Sequence, residues 1–215
     1  MKCAISYSGG KESALSLYRA IGLGHTPILL ITTFNTDRNH SYSHGISEVM
    51  LNRISDSLGI PSLPVKTTDE QYTKDFEKAL LHAKKAGAEA CVFGDIDIEG
   101  HRTWGSEICK SVGLEPLFPL WGEDRKSVVY EFIDSGFVAN ISVVNTKYLN
   151  DTFLGMQLTR ETADRIAAEG ADICGESGEY HTFVSAGPIF KQPVVFSFGE
   201  KVMNNEYAML FVQSE

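Results

Sequence analysis

Short apolar runs alternate with amphipathic stretches through the first half of the chain. Lys2 to Tyr7 forms one such run, followed by the pair Gly9-Gly10 and then Ala14, Leu17, Tyr18 and Ile21 at the three-to-four-residue spacing of a helix face. This predicts strand, tight turn, helix. A second strand over Pro27 to Phe34 leads through a polar loop to a helix with Met50, Ile54 and Leu58 on one face, stopped by Gly59 and Pro61. Thr68 to Gln71 reads as a capping box opening a helix with Phe76, Ala79, Leu80 and Ala83 inward, Lys84 and Lys85 in its last turn and Gly87 beyond. A strand over Ala90 to Phe93, a helix marked by Ile108, Cys109 and Val112, and a strand near Glu115 to Phe118 complete this half. Strands alternating with helices imply an α/β fold on a parallel sheet covered on both faces.

After Trp121 the pattern changes. It predicts a helix near Ser127 to Ile133, a strand over Phe137 to Val144, a helix near Arg160 to Ala168, and strands at Thr182 to Ala186, Val194 to Phe198 and Ala208 to Val212. The last three are expected to form an antiparallel set. The change of pattern places a boundary near Gly122, giving parts 1–122 and 123–215. The aromatic end, Phe190, Phe196, Phe198, Tyr207 and Phe211, reads as sheet core, and an exposed apolar edge there would serve a homodimer.

Composition narrows the function classes. The 215 residues carry 28 acidic and 19 basic side chains, a net charge of −9, with 43% hydrophobic and 22% charged residues. That is a soluble globular balance. The absence of a block of Lys and Arg argues against a long phosphate-tracking nucleic-acid surface. The first residues lack a signal-peptide pattern and the longest apolar run is far short of a membrane span, so a cytoplasmic protein is expected. Cys3, Cys91, Cys109 and Cys174 are widely spaced and read as small buried apolar residues rather than a zinc site or disulfide framework.

Two segments concentrate chemistry. Ser8-Gly-Gly-Lys-Glu-Ser13 follows the first strand and opens the first helix, where backbone N–H groups and the positive end of the helix dipole favour an anion. It departs from the Walker A pattern, since Glu12 follows Lys11 where Ser or Thr is needed, and from the dinucleotide Gly-x-Gly-x-x-Gly. A plain glycine turn is the alternative. Glu176 to Thr182 gathers two carboxylates, an imidazole and a hydroxyl before an expected strand. Here the alternatives are a charged surface hairpin and a metal site, since Glu and His both ligate metals. His40 and His44, in the loop after the second strand, either cover a nucleotide or are solvated, and His25, His82 and His101 receive no role.

The first segment resembles the pyrophosphate (PP) loop of the N-type ATP pyrophosphatases, which are adenine nucleotide alpha hydrolases. Gly175-Glu-Ser-Gly-Glu-Tyr-His-Thr-Phe-Val184 with Gly187-Pro-Ile-Phe190, and Val92-Phe-Gly-Asp-Ile96 with Arg102, Trp104 and Pro119-Leu-Trp121, resemble the diphthine–ammonia ligase family. The likeness runs from Ser8 to about Lys191. It implies a Rossmann-like (HUP-type) nucleotide-binding domain with a smaller α+β C-terminal domain. The implied activity is that of an ATP-dependent amide-forming ligase: a carboxylate is adenylated, pyrophosphate leaves, and ammonia displaces AMP.

Carried to this sequence, the resemblance implies that Ser8, Gly9, Gly10, Lys11, Glu12 and Ser13 hold ATP phosphates, commonly with Mg²⁺, and that Gly94 and Asp95 line the nucleotide site. Arg102 would neutralise a phosphate or an acidic substrate. Glu176 and Glu179 would orient ammonia, accept its proton or hold a metal, with His181 and Thr182 completing that pocket. The implied acceptor is diphthine on elongation factor 2. His181 stands where family members acting on diphthine tend to carry Glu, which points to a different small acid such as a corrinoid precursor. A tRNA-modifying enzyme with the same loop and a non-catalytic ATP-binding sensor are the further alternatives.

Overall fold

The computed structural model describes residues 1–36, 40–41 and 45–214, with the side chains of 40 and 41 outside the description. Its first sheet contains β1 (Lys2–Ser6), β2 (Thr26–Asn35), β3 (His40–Ser41), β4 (Ser62–Thr67), β5 (Ala90–Val92) and β6 (Glu115–Leu117). β1 pairs with β2 and β5, β2 also with β4, and β5 with β6, all parallel. Among the described residues of this sheet β3 alone runs antiparallel, against the end of β2.

The connecting helices are α1 (Lys11–Gly22), α2 (Glu48–Leu58), α3 (Tyr72–Lys85) and α4 (Glu99–Val112). Alternation along the strands explains why both sheet faces are covered. Cys3, Ile5, Tyr7, Leu30, Ala90 and Val92 join one core cluster with α1 and α2, while Ala4, Leu29, Ile31, Cys91 and Phe93 join the other with α3 and α4. All four cysteines are buried and free.

The second sheet is antiparallel, in the order β8 (Tyr180–Ala186), β7 (Val138–Asn145), β10 (Tyr207–Gln213), β9 (Ser197–Asn204). Helices α5 (Arg125–Asp134) and α6 (Arg160–Ala168) accompany it. The larger core continues from α1 and α2 into Val128, Phe132, Ile141, Ile166 and Phe183, so both sheets share one apolar interior. The Arg19 guanidinium reinforces that junction, donating to the Pro119 carbonyl at 2.8 Å and to Glu131 Oε1 at 2.9 Å.

Two expectations are corrected and two readings are completed. β4 is a strand that the run after Pro61 did not announce; among the described residues it pairs with β2 alone, and a strand with one neighbour needs fewer of its N–H groups. Thr68 to Gln71 is a turn closed by Gln71 N–H to the Thr68 carbonyl at 3.1 Å, so the helix begins one residue later without a side-chain cap. The expected antiparallel set is present in one sheet, with β7 lying between β8 and β10. The strand expected at Val194 to Phe198 starts at Ser197 and runs to Asn204, while Val194 makes a single backbone bond to the Ser185 carbonyl at 2.7 Å. Among the described residues no helix is long and apolar enough to cross a membrane.

Candidate active site

From β1 the chain runs on to β2 and β4 on one side, then crosses to β5 and β6 on the other. The crevice beyond the carboxyl ends of β1 and β5 is therefore a topological switch point, the favoured ligand position of such sheets. Ser8 to Ser13 folds there. Gly10, the N-terminal cap of α1, supplies no side chain to the first turn, which leaves the helix end to an anion. Ser8 Oγ accepts from Gly10 N–H at 3.2 Å and donates to Ser13 Oγ at 3.2 Å, and Ser13 Oγ donates to the Gly10 carbonyl at 2.9 Å. Gly9 has φ +86°, and a Cβ there would overlap Ile46 Cδ1, so glycine is required.

β8 and the loop before it form the facing wall. Lys11 N–H donates to Thr182 Oγ1 at 3.1 Å, and Val184 N–H donates to the Gly9 carbonyl at 2.9 Å. These bonds stitch the two sequence motifs together. A cavity of about 270 Å³ lies between them, lined by Ser8, Lys11, Glu12 and Ser13 of the loop, Gly94 and Asp95 after β5, and Glu176 and His181 of the second motif. Gly94 is tightly placed: a Cβ would lie 3.1 Å from Glu12 C and from Ser13 N. A neighbouring compartment of about 410 Å³ shares Ser6, Asp95 and His101 with the first and is walled by Tyr72, Phe93 and Trp104. Trp104 Nε1 donates to Thr73 Oγ1 at 3.0 Å and its ring lies 5.7 Å from that of Tyr72, which fixes this aromatic wall.

Charge in the cavity is concentrated and desolvated. Lys11 is 3% exposed, pairs with Glu12 and lies 4.7 Å from the Tyr180 ring centroid. Burial opposes its charge, but Glu12, with Tyr180 and Cys174 beyond it, outweighs burial and holds the ammonium well above its ordinary range. Glu176 is pushed up to about 8, first by burial and then by the negative Glu12. Asp95 is raised by burial against the opposing pull of His101, whose Nδ1 lies 3.1 Å from Asp95 Oδ1. Burial also raises the Cys174 thiol, keeping it neutral.

The ligand atoms of Glu12, Cys174 and Glu176 all lie within 4.8 Å of one another. Two carboxylates beside a phosphate loop suit a hard divalent cation that keeps waters and phosphate oxygens as its other ligands. The thiol does not suit such an ion.

The comparisons bear directly on this arrangement. The model of the diphthamide synthase N-terminal domain matches residues 1–116, and that of the diphthamide synthase C-terminal domain matches residues 124–214. The chain belongs to the diphthamide synthase family. Relatives of this family member include the diphthine–ammonia ligase of Danio rerio, 25% identical over 94% of this chain and 88% of its own length. The diphthine–ammonia ligase of Homo sapiens is 26% identical over 95% of this chain and 86% of its own. Among solved structures, a predicted subunit of tRNA methyltransferase from Methanocaldococcus jannaschii aligns with TM-score 0.47 and 15% identity, over 90% of this chain and 100% of that one.

The expected site residues of this diphthamide synthase family member fall into three groups. Ser8, Lys11, Glu12, Ser13, Gly94, Asp95, Glu176 and His181 surround the cavity. Gly9, Gly10 and Thr182 stand behind them, with Gly9 and Thr182 acting through the bonds that join loop to β8. Glu179 and Arg102 lie apart. The Glu179 carboxylate, in a residue 6% exposed, accepts from Ser177 N–H at 3.1 Å within its own turn. Arg102 is exposed on α4, its guanidinium carbon 4.7 Å from the Trp121 ring centroid.

Sequence reasoning passed over His101, Tyr180 and the aromatic wall. His101 carried a usable signal: it sits in the first turn of a helix that starts just after Asp95, which brings its ring back towards that carboxylate. His44 lies outside the described residues, as does the side chain of His40.

Proposed function

We propose that this chain is an ATP-dependent ligase that joins ammonia to a carboxylic acid, releasing AMP and pyrophosphate. One observation carries the reading: a lysine-bearing phosphate loop and the carboxylates of the second motif line a single cavity. Family membership and the relatives named diphthine–ammonia ligase support it. Residues 1–122 bind the nucleotide and residues 123–215 contribute the acceptor and transfer side of the site, acting in the cytoplasm.

In this reading the β and γ phosphates rest on Ser8 to Ser13 and the α1 N-terminus, with Lys11 as the point charge. Ribose passes Gly94, and the base enters the compartment of Tyr72, Phe93 and Trp104. A carboxylate oxygen attacks the α phosphorus, and the bond to the β-phosphate oxygen breaks with that oxygen keeping the electron pair. The loop stabilises the departing pyrophosphate, and Mg²⁺ held by Glu12 would share its charge. Ammonia then attacks the acyl carbon, AMP leaves, and the surplus proton on nitrogen goes to Glu176, which faces the cavity and is pushed up to about 8, with His181 beside it in the cavity wall. Glu179 shapes the turn that carries Glu176, and Arg102 meets an acidic group outside the cavity.

Diphthine is the acceptor that the relatives' names favour, and elongation factor 2 is the protein proposed to carry it. His181 in the cavity wall favours a second reading, the same chemistry on a small acid, because an imidazole lacks the fixed negative charge by which a carboxylate attracts a trimethylammonium cation. The deciding experiment supplies α-labelled ATP, Mg²⁺ and ammonium, with and without diphthine-bearing elongation factor 2, and separates AMP from ADP. AMP and an amidated factor are expected together. AMP formed equally without the factor moves the reaction to another acid, and absence of AMP under every condition overturns the ligase reading.

A further inference from the structure

The cavity walls contributed by Asp95 and Glu176 belong to loops far apart in sequence, and one guanidinium is bonded to both loops. Arg125, in the first turn of α5, donates through Nε and Nη2 to the two oxygens of Asp97 at 2.7 and 2.8 Å. Its Nη1 donates to Asp172 Oδ2 at 2.6 Å. Asp172 in turn accepts Cys174 N–H on Oδ1 at 3.1 Å and Glu176 N–H on Oδ2 at 2.9 Å.

We infer that Asp97, Arg125 and Asp172 form a positioning clamp that sets the Glu176 loop against the Asp95 loop across the nucleotide cavity. The inference rests on the ligase reading for its catalytic consequence and on the bonds alone for its structural one. Each end is short: Asp97 lies two residues beyond Asp95, and Asp172 holds the very amides of Cys174 and Glu176. A planar guanidinium serves both carboxylates at once because its N–H groups point in fixed directions, which an ammonium cannot reproduce. Arg125 holds the Asp97 carboxyl below the usual carboxylate range, so the pair stays ionised through neutral pH.

The clamp lies at the surface end of the site. The side chains of Arg125 and Asp97 are 30% and 38% exposed, and ion pairs of that exposure add little to stability. Loss of the Arg125–Asp97 pair should therefore appear in the site more than in the melting curve, whereas Asp172, 15% exposed, also carries the two amides of the Glu176 loop. Lys11 is anchored separately, through Thr182 on β8, so ATP binding should survive loosening of the Glu176 loop. None of the three clamp residues lines the cavity, which makes them positioning residues.

The test compares Asp172→Ala, Arg125→Gln and Arg125→Lys with the wild-type chain, by hydrogen–deuterium exchange and by steady-state amide formation with its accompanying AMP release. Asp172→Ala is expected to speed exchange in the 172–178 segment about tenfold while the β1–α1 segment is unchanged. The kcat for amide formation should fall about tenfold or more, with the KM for ATP within about twofold of wild type. Arg125→Gln should follow it, and Arg125→Lys should fall between. Unchanged exchange in 172–178, unchanged kcat, or faster exchange throughout the chain overturns the clamp. A wild-type chain that forms no amide defeats the ligase reading instead, and the exchange comparison alone then decides the clamp.

Discussion

Gly94→Ala tests whether the nucleotide site depends on close contact between the end of β5 and the phosphate loop. The added methyl would lie 3.1 Å from Glu12 C and Ser13 N and 3.2 Å from Glu12 Cβ. Favourable carbon contacts begin at about 3.5 Å, so the start of α1 must withdraw by about 0.4 Å. Two of the three obstructing atoms are backbone, held in turn by the bonds from Lys11 to Thr182 and from Val184 to Gly9, so the displacement spreads instead of being absorbed by a rotamer. Overpacking of this kind costs about 2 kcal/mol, a melting-point fall of about 4–8 °C for a chain of this size. ATP affinity, read by calorimetric titration, should fall about tenfold, because the phosphate-binding amides move with the loop. Gly100→Ala is the control: nothing lies within 4 Å of its Cβ position, and a helical glycine replaced by alanine should gain up to about 1 kcal/mol. Gly94→Ala with wild-type melting and wild-type ATP affinity would refute the argument.

Lys11→Met leaves Glu12 beside Glu176 without its counter-ion and should cost about 3 kcal/mol in urea denaturation, while Lys11→Met with Glu12→Gln recovers most of that loss and neither variant forms AMP. Glu176 holds its proton up to about 8 in the folded chain against 4.5 otherwise, so between those values the folded state binds more protons. This group therefore lowers stability as pH rises from 4.5 to 8, and Glu176→Gln should flatten that part of the stability profile while removing the rise in amide formation near pH 8. Arg19→Met removes the bonds to Glu131 and the Pro119 carbonyl and should destabilise by about 1–3 kcal/mol, measurable by the same denaturation without change in the KM for ATP.

Local periodicity made most of the elements legible. α2 ends at Leu58 where Gly59 stands, and α6 spans the expected Arg160 to Ala168, because each needs one apolar stripe and a stop. Ile21 fits the α1 stripe yet is 39% exposed. β4 was hidden because its prolines signal a break locally, while its pairing is decided by β2, a neighbour distant in sequence. The site followed the same division. Ser8 to Ser13 announces an anion site through residue types alone, whereas the approach of Gly94 to Glu12 and the bond from Lys11 to Thr182 are properties of folded neighbours. Glu179 looked equivalent to Glu176, but two positions of chain separate a carboxylate facing the cavity from one spent on its own turn.

The backbone bond from Val184 to Gly9 also constrains the order of events during synthesis. The phosphate loop leaves the ribosome well ahead of the partners that brace it, since Thr182 follows Lys11 by 171 residues and Val184 follows later still. Until they arrive, β1 and α1 can pair with β2 and β5, yet Gly9 keeps a carbonyl without its β8 donor and Lys11 an amide without its hydroxyl. A nascent chain should thus gain ATP affinity in one late step, after most of its parallel sheet has formed. The nucleotide itself would then favour the completed chain over any truncated product.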